Sequence, residues 1–207
     1  MTLRRIAIAL SLLILVAACD TKPTDYRAIW SSTPTSAPST TATPEPFSQY
    51  LQEKGVDGQP MTPQTLTELT VSMPHPSGWA VVTDPNQPSA FDIIRKTAVA
   101  AFQPTAVLMV FKLTGGGFDV NDALKHAYDM PGAIQEQFNG MPSAKIEATY
   151  YESNDQKVHR YNRIIIATAK SNQRFLIQFS VTTAADQAQE ADPDVLTIIK
   201  GFIVAVR

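Results

Sequence analysis

The chain has a single cysteine, and its neighbours decide what that thiol can do. Cys19 closes the run Leu15-Val16-Ala17-Ala18-Cys19, behind a positive start at Arg4 and Arg5 and an apolar stretch from Ile6 to Val16 broken only by Ser11. With no second cysteine in the chain, it cannot be half of an internal disulfide. A charged start, an apolar middle and a small-residue cleavage site are the parts of an export signal, and here a cysteine follows directly. Val16, Ala17 and Ala18 then make a lipobox, residues 1–18 a signal peptide, and Cys19 the mature N-terminus, its sulfur carrying a diacylglycerol. The apolar run falls short of the roughly 20 residues that a spanning helix needs. An ordinary secretory site gives no reason for cysteine directly after Ala-Ala. The rest of the chain is therefore expected outside the cytoplasm, lipid-anchored at the cell membrane or outer envelope.

Other residues able to do chemistry are sparse. Gly115-Gly116-Gly117 lies between an apolar run and a helix pattern, where a phosphate cradle would sit. It lacks both the Gly-x-Gly-x-x-Gly spacing and a following Lys-Ser/Thr, and Asp119 puts a negative charge where an anion would dock. A flexible turn is the better reading. Neither a Gly-x-Ser-x-Gly nucleophile elbow nor a His-Glu-x-x-His zinc motif occurs. His75, His126 and His159 are far apart, and only His126 has carboxylates at helical spacing, Asp122 and Asp129. Such a set is weak for a metal, which usually asks for more His or Cys, so a solvated charged face is preferred. Trp79 and aromatics such as Phe111, Tyr161 and Phe179 are candidates to line a lipid groove, but large apolar side chains fill interiors by default. Arg160 and Arg163 alternate across one strand, so at most one of them can join a groove. No catalytic residue, cofactor or metal ligand is assigned.

The elements that must present these residues follow from composition and pattern. The 207 residues are 44% apolar and 17% charged, enough for one real core without disulfides. The net charge is −2, and with Arg4 and Arg5 ahead of Cys19 the exported part is more acidic still, which gives nucleic acid no clustered positive face. Residues 31–46 hold nine Ser or Thr and four Pro and no large apolar side chain. Such a segment cannot bury enough surface to offset chain entropy, so 19–46 reads as a disordered tether behind the lipidated cysteine. Its composition suits an O-glycosylation substrate as well as an unmodified spacer.

From 47 to 207 the patterns alternate. Phe47 to Lys54 fits a short helix ended by Gly55, and a Gly/Pro loop follows. Leu66–Met73 and Trp79–Thr83 read as strands joined by Pro74 to Gly78 in a hairpin-like pair, and Phe91–Arg95 as a weaker strand. The run 105–113 is apolar almost throughout, as in a central strand covered on both faces. A helix capped by Asp119 is expected next, with Ala123, Leu124, Ala127 and Tyr128 inward, Pro131 and Gly132 ending it, and a second helical turn through Ile134 to Phe138. Three antiparallel strands follow at 145–152, 158–169 and 174–183, then a helical stretch 184–200 in which Asp192 caps Pro193 and Leu196, Ile199 and Ile203 pack on the sheet. The fold class is α+β, an antiparallel β-sheet between helices.

Several of these stretches also resemble the mycobacterial LpqN/LpqT lipoprotein family, most of all its LpqT members. They are Tyr50 to Val56, Leu69-Thr70-Val71-Ser72-Met73-Pro74 with Gly78-Trp79, residues 108–111, Ala123-Leu124-Lys125-His126, Asn162-Arg163-Ile164 and Ile199 to Val204. The resemblance implies a Mog1/PsbP-like domain over 47–207 in an actinobacterial envelope protein, suited to docking and scaffolding and with no catalytic motif to carry over. The function expected is a non-enzymatic envelope lipoprotein whose domain binds a protein partner, either an envelope or transport component or a host protein. Its acylated N-terminus would be sensed by host lipoprotein receptors. The alternative is a carrier for an apolar envelope lipid or glycolipid. Replacing Cys19 by Ala is expected to move the chain out of the membrane fraction and remove the acyl mass from its N-terminal peptide, both read by fractionation and mass spectrometry.

Overall fold

The computed structural model describes residues 47–97, 102–127, 133–151, 156–185 and 192–207. The lipobox, Cys19 and the Ser/Thr/Pro-rich stretch lie outside them, as do Tyr128, Asp129, Pro131, Gly132 and the 153–155 turn. In chain order the elements are α1 (Phe47–Glu53), β1 (Val56–Pro60), β2 (Leu69–Ser72), β3 (Trp79–Val81), β4 (Asp92–Lys96), β5 (Thr105–Gly115) and α2 (Val120–Lys125). They continue with β6 (Ile134–Phe138), β7 (Met141–Tyr151), β8 (Lys157–Thr168), β9 (Arg174–Ala184), α3 (Pro193–Gly201) and β10 (Ile203–Val206). The architecture is α+β.

The main sheet is antiparallel and runs β3-β4-β5-β9-β8-β7-β6. β1 adds to the same margin of β5 as β4: β4 takes residues 105–108 and β1 takes 111–115. As its uninterrupted apolar run requires, β5 is covered on both sides, with Leu108 and Val110 facing one layer and Val107 and Phe111 the other. On the first side lie α3 and a two-stranded ribbon of β2 and β10; on the second, α1 and α2.

Each layer is fixed by its own side chains. On the α3 side, Val195 and Ile198 enter the core and Phe202 stacks on Phe179 with ring centroids 4.2 Å apart. On the α1–α2 side, Phe47, Tyr50 and Leu51 meet Phe111, Leu113 and Leu124. The two caps form as their sequences ask: Asp119 accepts from the Asp122 amide at 2.8 Å, and Asp192 from the Asp194 amide at 3.0 Å.

Four expectations need correction. β2 and β3 are not a hairpin; β2 pairs with β10 and β3 with β4, so Pro74 to Gly78 carries the chain from the ribbon to the sheet. Ile134 to Phe138 is a strand rather than a helical turn, joined to β7 by Asn139 and Gly140 at φ 51° and 78°. That pair of left-handed residues is the tight-turn chemistry of a two-residue hairpin. The helix before the C-terminus, α3, begins at Pro193; Ala184 still belongs to β9, and Ile203 is an exposed residue of β10, while Ile199 packs on the core as expected and Val195 and Ile198 supply the fully buried contacts. Finally, the first loop contains β1.

The glycine run explains how α1 is held. The Gly116 amide donates to the Gly55 carbonyl at 2.9 Å. A Cβ on Gly116 would stand 1.7 Å from the Lys54 carbonyl oxygen, and one on Gly115, at φ +86°, 2.3 Å from that of Gly55. Only glycine lets the two loops approach this closely. Gly117 meets nothing within 4 Å. Gly116→Ala is therefore expected to cost about 2–3 kcal/mol in denaturant unfolding, while Gly117→Ala stays within about 0.5 kcal/mol of the parent.

Candidate functional site

The glycine triplet borders a cleft of about 530 Å³ at the end of β5. Val56, Leu113 and Phe118 give it apolar wall, Thr114, Asn172 and Gln173 polar wall, and Arg174 the one charged side chain among its lining residues. The side chains there are tied to backbone. The Gln173 amide donates to the Leu113 carbonyl at 2.6 Å and to its neighbour's, that of Arg174, at 2.8 Å. Arg174 Nη1 donates to the Phe118 carbonyl at 2.9 Å, with its guanidinium 4.8 Å from the centre of the Phe118 ring. The loop is thus a fixed clasp through Gly115 and Gly116 and an open wall at Gly117, rather than a flexible turn throughout.

The histidines remain separate. His75 Nε2 lies 2.7 Å from Asp92. His126 ends α2 and stacks on Tyr50 at 4.6 Å, while the Tyr50 hydroxyl donates to Asp122 at 3.0 Å. Bonds from Lys125 and then Tyr50 hold the Asp122 carboxyl below its ordinary range. His126 and Asp122 therefore serve the α1–α2 contact, and Asp129 lies outside the described residues. Among the described residues, no three His, Cys, Asp or Glu side chains are grouped to hold a metal. His159 bridges Thr149 and Glu147 on the neighbouring strand, at 2.9 Å each.

Arg160 and Arg163 do fall on opposite faces. Arg160 donates through Nε to Thr182 at 3.0 Å on the α1–α2 side. On the same face Gln178 Nε2 and Ser180 Oγ are buried without a hydrogen-bond partner, a costly arrangement unless something else supplies acceptors. Arg163 faces the other way and is 6% exposed. It donates to Tyr161 Oη at 2.8 Å, Ser143 Oγ at 3.1 Å and Glu136 Oε1 at 2.6 Å, and its guanidinium lies 4.6 Å from the Phe138 ring centre. Glu136 and Phe138 belong to β6, so this buried cation fastens the outermost strand to the sheet. Burial pushes the Glu136 carboxyl upward, but the bond and charge of Arg163 outweigh it and leave its pKa below the ordinary value. Burial pushes the Tyr161 phenol up, offset only in part by Arg163. Sequence patterning does not find this cluster, because its members lie on three strands and Ile134 to Phe138 reads as a helical turn rather than as the strand paired with β7.

The architecture itself defines a class: an α+β domain built on an antiparallel sheet covered on both faces. A family model described as "Probable lipoprotein LpqN" matches residues 43–205, and the chain belongs to this lipoprotein family. It is 37% identical to the lipoprotein LpqT of Mycobacterium tuberculosis (strain ATCC 25618 / H37Rv), over 98% of this chain and 93% of that protein. Against LpqT of Mycobacterium leprae it is 36% identical, over 96% and 94% of the two chains. The proline-rich 28 kDa antigen of Mycobacterium tuberculosis is 34% identical, over 75% of this chain and 52% of that one. In fold the domain matches a crystal structure of LpqN, described as involved in cell envelope biogenesis of Mycobacterium tuberculosis, with a TM-score of 0.62 and 17% identity, covering 77% of this chain and 97% of that one.

Arg163→Met removes the buried cation shared by Glu136, Tyr161 and Ser143, while Glu136 keeps Lys145 at 3.6 Å and Ser143 Oγ keeps the Glu136 carbonyl at 3.1 Å, so a loss of about 1–3 kcal/mol in denaturant unfolding is expected. Because the Glu136 pKa is depressed on folding, its contribution is present above the ordinary glutamate value of about 4.3 and disappears as pH falls through the lower folded value. Glu136→Gln should flatten the fall in stability over that acid range, measured by unfolding at stepped pH.

Proposed function

We propose that this chain is a non-enzymatic envelope lipoprotein, anchored through Cys19 on the outer side of the membrane, whose domain docks a protein partner. The observation that carries the reading is the division between a filled inside and an open margin. Both faces of the sheet are occupied by the chain's own side chains, whereas Ile134 on the outermost strand β6 is 52% exposed. An edge strand with unpaired backbone groups and an exposed apolar side chain is a surface to which another chain can add. The involvement of LpqN in cell envelope biogenesis, as its crystal structure is described, favours an envelope or transport component as partner. The antigen name of other relatives favours a host molecule, and a host lipoprotein receptor for the acylated N-terminus. A photo-crosslinking residue at Ile134 in the anchored protein is expected to give a defined adduct that the same residue at exposed Lys200 does not. Equal or absent adducts at the two positions would refute docking at this edge.

A second reading, a carrier for an apolar envelope lipid or glycolipid, is favoured by the buried and unpartnered Gln178 Nε2 and Ser180 Oγ beside Met109 and Ile164. An oxygen-bearing ligand between the sheet and the α1–α2 layer would satisfy them. Native mass spectrometry of the exported protein decides it: a co-purifying lipid lost in Gln178→Leu supports the carrier, and a ligand-free mass rejects it.

A further inference from the structure

We propose that the cleft beside Gly117 binds the carboxylate end of a peptide, with Arg174 as the residue that reads its charge. The inference rests on the docking reading and gives that docking a second, chemically defined contact. The cleft has a size typical of small-ligand sites, and its lining carries one formal charge, which is positive. Arg174 is the one charged residue among those that line the cleft, in a chain whose net charge is −2. Arg174 forms no ion pair among the described residues. Its bond to the Phe118 carbonyl and the Phe118 ring beneath it fix the guanidinium, using one of its five N–H groups and leaving others for a second acceptor. The two oxygens of a carboxylate match that planar fork. One cation balances a monoanion, and a dianionic phosphate would retain uncompensated charge. The neighbouring carboxylate of Asp119 is turned to its own helix, where it accepts the Asp122 amide, and neither it nor Asp57 lines the cleft.

The rest of the wall suits a peptide end better than a free small anion. Val56, Leu113 and Phe118 offer apolar contact next to the cation, as a terminal apolar residue with its own carboxylate would need. Gly117 supplies backbone without a side chain in the way, since nothing stands within 4 Å of where its Cβ would be. The glycine triplet thereby divides its work. Gly115 and Gly116 are required by the fold, and Gly117 is free to serve the ligand.

The test uses the full acylated chain in detergent micelles, titrated with acetyl-Ala-Ala-Leu bearing a free carboxylate, with the C-terminal amide of that peptide, and with sodium acetate. Binding is followed by amide NMR shifts at Gly117 and Phe118. The free acid is expected to shift both, the amide to bind at least about tenfold more weakly, and acetate more weakly than the acid peptide. Arg174→Gln should weaken the acid peptide about tenfold or more, with Arg174→Lys recovering part of the loss. Gly117→Leu should block it while leaving thermal unfolding close to the parent. This last variant decides the matter should Arg174→Gln prove unstable. Equal binding of acid and amide, an unaltered affinity in Gly117→Leu, acetate as tight as the peptide, or unmoved Gly117 and Phe118 signals would each overturn the assignment. A defined peptide is read here without reference to crosslinking at Ile134, so this inference and the docking edge can fail separately.

Discussion

Everything in this domain is fastened to β5. Among the described residues, the strand is the one element that both touches the two layers and pairs with three strands, β4 and β1 along one margin and β9 along the other. An antiparallel strand can leave one face in water, but this one cannot, because its apolar residues occupy both faces almost without a break. Two separate apolar layers must therefore form, and the α3–ribbon side and the α1–α2 side are the result. Ordering so many residues is opposed by chain entropy, and burial of large side chains on both faces is the principal term that offsets it.

Polar groups then secure what the apolar layers leave loose. Arg163 holds β6, the Tyr50–Asp122 bond joins α1 to α2, and Lys96 reaches Asp192 at 2.8 Å and Asp194 at 3.2 Å to dock the start of α3 on β4. The bond to Asp192, opposed by some burial and helped by Asp194, keeps the Lys96 ammonium more basic than usual. Its stabilising effect is therefore complete through neutral pH and is lost only in alkali. Each of the three contacts sits at the margin of a layer, where an element has too little apolar surface to be held by packing alone.

Much of the fold could be read from local pattern, and the failures have physical causes. The two-sided β5, the Asp119 and Asp192 caps and the successive antiparallel strands β7, β8 and β9 are all written in short-range chemistry. The β2–β10 pairing was hidden because it joins residues more than a hundred positions apart, and alternation shows that a strand has a buried face without naming its partner. β6 was legible: Asn139-Gly140 is a strong hairpin signal, obscured by the helix-like polar run Gln135-Glu136-Gln137. For the candidate site, the glycine triplet and Arg174 were both visible, but not their adjacency. Gly115 ends β5 a short loop ahead of α2, while Arg174 begins a strand whose register with β5 brings Phe175 opposite Lys112. Only that register turns two unrelated stretches into one cleft.

The way α1 and β1 join the sheet also decides how the domain answers a mechanical load. A pull from the N-terminal side enters at Phe47 and passes through α1 to Val56, the end of β1 that lies opposite Gly115. From that end the β1–β5 hydrogen bonds break one after another, as in unzipping, instead of sharing the force as they would in shear. α1 has no ladder of its own; the packing of Phe47, Tyr50 and Leu51, the Gly55–Gly116 bond and the Tyr50–Asp122 bond are what resist first. The N-terminal helix and strand thus form a peelable strip, and β5 keeps its β4 and β9 partners after that strip has come away.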